Sequence, residues 1–109
     1  MTSSRLEALM KFLEEDPTDP FTRYAIALEY ASMQNFPAAI AKMQELLSLD
    51  PGYVPAYHQL GGFFKQIGEP NEAIRILEQG MQRAALAGER HAQGEMQELI
   101  DELEESHRP

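Results

Sequence analysis

The chain predicts an all-α fold of stacked antiparallel helix hairpins, and three observations carry that expectation. The first is an echo at 34 positions. Ala39-Ile40 returns as Ala73-Ile74, Ile26-Ala27 with Tyr30 as Leu60-Gly61 with Phe64, Met43 as Leu77, and Asp16-Pro17 as Asp50-Pro51. A repeat of that length built from two helices is a stacking unit, and stacks make surfaces for partners rather than enclosed active sites. The second is periodicity: apolar residues recur at helical spacing, and no segment alternates with period two, so no strand is placed. The third is that every connection is short, which makes neighbouring helices antiparallel. At 109 residues the chain is read as one domain, residues 1–109.

The elements follow in order. Ser4-Arg5-Leu6-Glu7 reads as a capping box opening a first helix, with Ser4 at the N-cap and Glu7 three residues on. Leu6, Leu9, Met10 and Leu13 form its stripe, Phe12 widens it, and Asp16-Pro17 ends it because the residue before proline avoids the α region. Asp19 caps a second helix, from Pro20 to about Met33. A third runs from about Pro37 to Leu49, with Asn35 near its start and Asp50-Pro51-Gly52 as its stop. Pro55 opens a fourth, to Ile67, which Gly68 closes. Glu69-Pro70-Asn71 starts a fifth, to about Ala87 before Gly88. The sixth covers Glu89 to Glu105, with Ala92, Met96, Leu99 and Leu103 on one stripe; Gly94 inside it costs about 1 kcal/mol relative to Ala.

Composition narrows the function classes. There is no cysteine, which excludes disulfides, thiolate metal sites and Cys nucleophiles. No apolar run approaches the roughly 18 residues of a membrane span. The N-terminus, Met1-Thr2-Ser3-Ser4-Arg5, leads into an amphipathic stretch with Glu7, Glu14 and Glu15 rather than a continuous apolar core, so a cytoplasmic protein is expected. Net charge is −9, and between residues 95 and 105 stand Glu95, Glu98, Asp101, Glu102, Glu104 and Glu105 with no Lys or Arg. Nucleic acid and anionic membranes are disfavoured as partners, because both need Lys and Arg. The acidic run is read as a solvated helix face; a basic partner segment is the alternative.

Set as a pattern, Tyr57-x-x-Leu60-Gly61-x-x-Phe64-x-x-x-Gly68, then Glu72-Ala73-Ile74 and Leu77, resembles the tetratricopeptide repeat family. The first unit departs from it: Arg23 occupies the large aromatic slot and Gln34 the inter-helix glycine slot. In the second, Gly80 sits where Ala or Leu is usual, as in Leu46. The resemblance gives an N-terminal half-repeat helix over 4–16, repeat 1 over 20–50, repeat 2 over 54–87 and a C-terminal capping helix over 89–105. It aligns Leu6, Leu9, Phe12 and Leu13 with Ile40, Met43, Leu46 and Leu47. A one-residue insertion puts Ala92, Met96 and Leu99 in the slots of Tyr57, Gly61 and Phe64. Ala27, Gly61, Ala39 and Ala73 are small so that hairpin helices approach closely, and Tyr30, Phe64, Met43 and Leu77 fill the space around them. Gly61→Leu or Ala73→Leu is expected to overpack the hairpin by about 1–3 kcal/mol or more.

The resemblance further implies a short right-handed superhelix of about six helices, its concave face lined by the first helix of each repeat. The matching slots are Phe21, Tyr24, Leu28, Ala31 and Ser32, and Pro55, His58, Gly62, Lys65 and Gln66. The helix from Pro20 is apolar almost all round and must be covered on every side. This nominates Phe21, Tyr24 and Leu28 as an apolar anchor for a protein or peptide segment, with His58, Lys65 and Gln66 as polar contacts. The alternative reading is a structural module that pairs two copies into a homodimer through the same surface. Some family members clamp a C-terminal carboxylate with Lys, Arg and Asn; Tyr24, Leu28, His58 and Gly62 in those slots argue against that clamp. His58, His91 and His107 are too scattered for a metal centre, no catalytic constellation is visible, and no cofactor is expected. Met81 and Met96 are read as core filler.

Overall fold

The computed structural model describes residues 3–107, which hold six α-helices and no strand. Met1 and Thr2, which entered the reading of the N-terminus, lie outside the described residues, as do Arg108 and Pro109. Two compact units divide the chain, one ending at Asp50 and one beginning at Pro51.

In the first unit, α1 (Ser4–Glu15) packs on α2 (Pro20–Ser32), and α2 pairs with α3 (Phe36–Leu49). The N-cap of α1 is Ser3, not Ser4: Ser3 is extended, and its Oγ accepts from the Leu6 N–H at 2.9 Å. Glu7 thereby falls one position too late to close a capping box. Ser3 Oγ also donates to Glu29 Oε1 at 3.2 Å, so one residue caps α1 and ties it to α2. Asp19 caps α2 as expected, with Oδ1 accepting from the Phe21 N–H and Oδ2 from the hydroxyl of buried Thr22. Ala27 and Ala39 are wholly buried on the two hairpin helices beside Ile26, Met43 and Leu46. Phe12 departs from its alignment with buried Leu46. It is 58% exposed, because α1 packs on α2 through Leu6 and its neighbours and no helix covers the Phe12 side among the described residues.

In the second unit, α4 (Val54–Gln66) pairs with α5 (Pro70–Ala87), and α6 (Arg90–Ser106) lies against both. Leu60, Leu77 and Met96 are fully buried. In α6 the buried positions are Met96, Ile100 and Leu103, while Ala92 and Leu99 are half-buried. The offset from Leu60 and Phe64 is therefore two residues beyond the repeat, not one. The cause is local: α5 has 18 residues against 14 in α3, while the connection after it is two residues shorter. Near the start of α5, Arg75 Nε donates across one turn to Glu72 Oε1 at 2.7 Å. That hydrogen bond holds the Glu72 carboxyl below its ordinary pKa and raises that of Arg75.

The echo extends to hydrogen bonds. Tyr57 Oη donates to the Pro51 carbonyl at 2.6 Å. Thirty-four positions earlier, Arg23 donates to the Pro17 carbonyl from Nε at 3.3 Å and from a terminal nitrogen at 3.0 Å. Arg23 also pairs with Glu45, and its side chain is only 13% exposed. The two residues look unlike in sequence and make the same tie to the preceding turn. The helix ends match too. Gln34 (φ 63°) and Gly68 (φ 76°) both adopt the left-handed conformation, and the residue after each donates to the carbonyl of Tyr30 or Phe64 at 2.9 Å. Left-handed backbone costs a non-glycine residue about 1–2 kcal/mol. Gln34→Gly is therefore expected to stabilise the chain by about 0.5–1 kcal/mol, after the extra entropy of glycine in the unfolded chain, read as a raised thermal midpoint.

Candidate functional site

Spacing on α2 gives the candidate anchor. Phe21, Tyr24 and Leu28 stand at i, i+3 and i+7 and so share one face of the helix. Phe21 is 64% exposed, while Tyr24 and Leu28 are half-buried. All three line one groove of about 280 Å³, together with Ala25 and Ser32 of α2. Arg5 of α1 and Glu29 of α2 complete its wall. The Glu29 side chain is 16% exposed and lies 3.6 Å from Arg5 Nε, while also accepting from Ser3. The rim charges are thus neutralised within the unit, and the groove presents an aromatic-aliphatic stripe. The sequence reading missed Arg5 and Glu29. Their partnership spans two helices, so no local spacing could have announced it.

His58, Lys65 and Gln66 share a face of α4 in the second unit, at i, i+7 and i+8, with Gly62 between them. His58 is half-buried and Gln66 exposed. Lys65 is already engaged: its Nζ lies 2.7 Å from Glu102 Oε1 on α6. It therefore joins α4 to α6 as well as offering a cation. A Cβ built on Gly62 meets no atom within 4 Å, so this part of the α4 face stands open.

Met96 is core, as expected, but half-buried Met81 lines a second groove between α5 and α6. Among the described residues no three His, Asp or Glu side chains gather as for a metal ion. His91 faces Glu95 of its own helix at 3.6 Å, and His107 caps the end of α6. No helix of the described residues is long and apolar enough to cross a membrane.

A family model described as Tetratricopeptide repeat matches residues 30–94. The solution structure of a tetratricopeptide repeat domain protein from Salinibacter ruber is 34% identical, with a TM-score of 0.81 over 86% of this chain and 95% of that one. The TPR2B domain of yeast Sti1, solved in complex with pHsp70, has a TM-score of 0.87 at 20% identity over 94% of this chain and 82% of that one. The type III secretion translocator chaperone SycD of Yersinia enterocolitica has a TM-score of 0.86 at 13% identity over 95% of this chain and 72% of that one. No curated protein matches the chain in sequence.

Proposed function

The chain belongs to the tetratricopeptide repeat family, and from that premise we propose that it is a protein-binding module whose α2 groove takes an apolar segment of a partner protein. The observation that carries this reading is the Phe21, Tyr24 and Leu28 stripe, which lines a groove and is left partly uncovered within its own unit. Aromatic residues set in a groove are the usual anchors of binding energy, because they bury much area at small entropic cost. The Arg5–Glu29 pair frames the groove without leaving a net charge in it, which favours an apolar segment over a charged one. On α4, His58 and Gln66 supply a further set of polar contacts in this proposal, and Lys65 adds its stem while its head stays on Glu102. The yeast domain with pHsp70 and the Yersinia chaperone are precedents for a protein as partner on this fold.

The test places a photo-crosslinking amino acid at Phe21 in cells, with exposed Leu49, which lines neither groove, as the control position. The expected result is a discrete adduct to a different protein at position 21, reduced at least about tenfold by Tyr24→Ser/Leu28→Ser, with circular dichroism checking that this variant folds. Adducts formed only with a second copy would replace this reading by the homodimer. Adducts no more abundant than at position 49 would overturn both.

A further inference from the structure

A groove of the second unit lies outside the face proposed for binding above. It runs between α5 and α6 and encloses about 410 Å³. Ile100, 5% exposed, and half-buried Met81 give it apolar surface, with the methyl of Ala85 beyond them. α5 and α6 are joined by two residues and are antiparallel, so Ala85 and Gln93 lie nearer the loop. Glu78 and Glu104 stand on opposite walls at the far end. Gln82 and Gln97 line the middle, and no Lys or Arg lines the groove.

Shape and charge together select an occupant. A trough between two antiparallel helices accepts a third helix by ridges-into-grooves packing, and this unit already uses that arrangement where α6 lies against α4 and α5. From Glu78 to Ala85 the groove wall rises about 10 Å, roughly two helical turns. The carboxylates of Glu78 and Glu104 call for Lys or Arg at one end, and the apolar part for an aliphatic or aromatic side chain one to two turns away. The acidic stretch of α6 extends the attraction beyond the groove itself. A second copy of this chain is disfavoured, since each carries a net charge of −9. Propagation of the stack is also disfavoured. On the two-residue offset of α6, bulky Gln97 occupies the close-approach slot that Gly61 fills in α4. The geometry points to a second docking site: the α5–α6 groove binds a cationic amphipathic helix of a partner protein.

The probe is a designed 18-residue Leu/Lys amphipathic helix, compared with a Leu/Glu peptide of the same pattern and a shuffled Leu/Lys peptide. Binding to the full chain is followed by amide chemical shifts. The Leu/Lys helix is expected to shift residues 78–85 and 93–104. Ala85→Arg, or Glu78→Lys with Glu104→Lys, should weaken it at least tenfold without changing the circular dichroism spectrum. Raising salt from 0.05 to 0.5 M should weaken it as well. Equal binding of the shuffled peptide would mean bare charge attraction, and equal binding of the Leu/Glu peptide would remove charge selection; either overturns the proposal. So would no binding, shifts confined to Phe21, Tyr24 and Leu28, or a dimer of the chain that Ala85→Arg dissociates. Because the readout is resolved by residue, failure here and failure of the α2 groove are separable.

Discussion

Gly80→Leu is expected to destabilise the chain by about 3 kcal/mol or more, a fall of about 12 °C or more in thermal midpoint. A Cβ at Gly80 would collide with Tyr57 Cβ and stand 2.6 Å from Met96 Sδ. The sulfur can move, since methionine is unbranched and adaptable. Tyr57 Cβ cannot retreat without shifting the backbone of α4, whose Tyr57 is tethered to the Pro51 carbonyl. Even Gly80→Ala, which gains about 1 kcal/mol of helix propensity, should lose about 1 kcal/mol net once the overpacking is included. The first unit holds the complementary arrangement: Arg23 and Leu46 stand where the second holds Tyr57 and Gly80. Arginine keeps the Cβ but replaces the rigid ring by an unbranched stem that can bend away, so adding Tyr57→Arg to Gly80→Leu should recover the part of the loss that the ring causes. Chemical denaturation of the four variants in a double-mutant cycle would give a favourable coupling of about 1 kcal/mol or more. Recovery stays partial, because Met96 remains in the way and Gln79 stands where Glu45 meets Arg23. Strict additivity would mean that the two positions do not share the space.

Much of the fold was legible because the echo is enforced by packing. Where a small residue lets two helices meet, as at Ala39 and Ala73, both copies must keep it, and sequence alone shows the register. The departures were harder to read because each is compensated by a residue on another helix. Arg23 looked like a lost aromatic, yet it reaches the same proline carbonyl as Tyr57. Gly80 looked like an anomaly, yet it makes room for Tyr57 and Met96. Ser3 displaced Ser4 as the cap of α1, and Glu29 on α2, which bonds to Ser3, could not be identified from a window of four residues. The two-residue slip of α6 follows from the longer α5, and Gly88 could mark the end of that helix but not its phase against α4. The candidate anchor was legible for the opposite reason. Phe21, Tyr24 and Leu28 share a helix face by spacing alone, and α2 carries more apolar surface than one hairpin uses. The Lys65–Glu102 bridge joins residues 37 apart and needed the packed unit to be seen.

Adjacent glycines on α4 are expected to respond in opposite directions to the same change. A Cβ at Gly61 would lie 2.6 Å from both Cγ and Cδ2 of Leu77, which is fully buried, whereas a Cβ at Gly62 meets nothing within 4 Å. Gly62→Ala should stabilise by about 0.5–1 kcal/mol through helix propensity alone. Gly61→Ala gains the same propensity and loses about 1–3 kcal/mol to overpacking, and Gly61→Leu should lose about 3 kcal/mol or more, since its added carbons enter the same filled space. The first unit again shows the compensation, with Ala27 and Met43 at the positions of Gly61 and Leu77. An unbranched methionine can bend away from an added methyl where a γ-branched leucine cannot, so Leu77→Met should rescue most of the loss in Gly61→Ala. Thermal midpoints of the single and double variants decide the matter: equal midpoints for Gly61→Ala and Gly62→Ala would show that α4 and α5 do not meet at Gly61. The experiment also bears on function. Gly62 lies on the face that carries His58 and Gln66, so Gly62→Ala offers a folded, stabilised protein in which that face alone is altered.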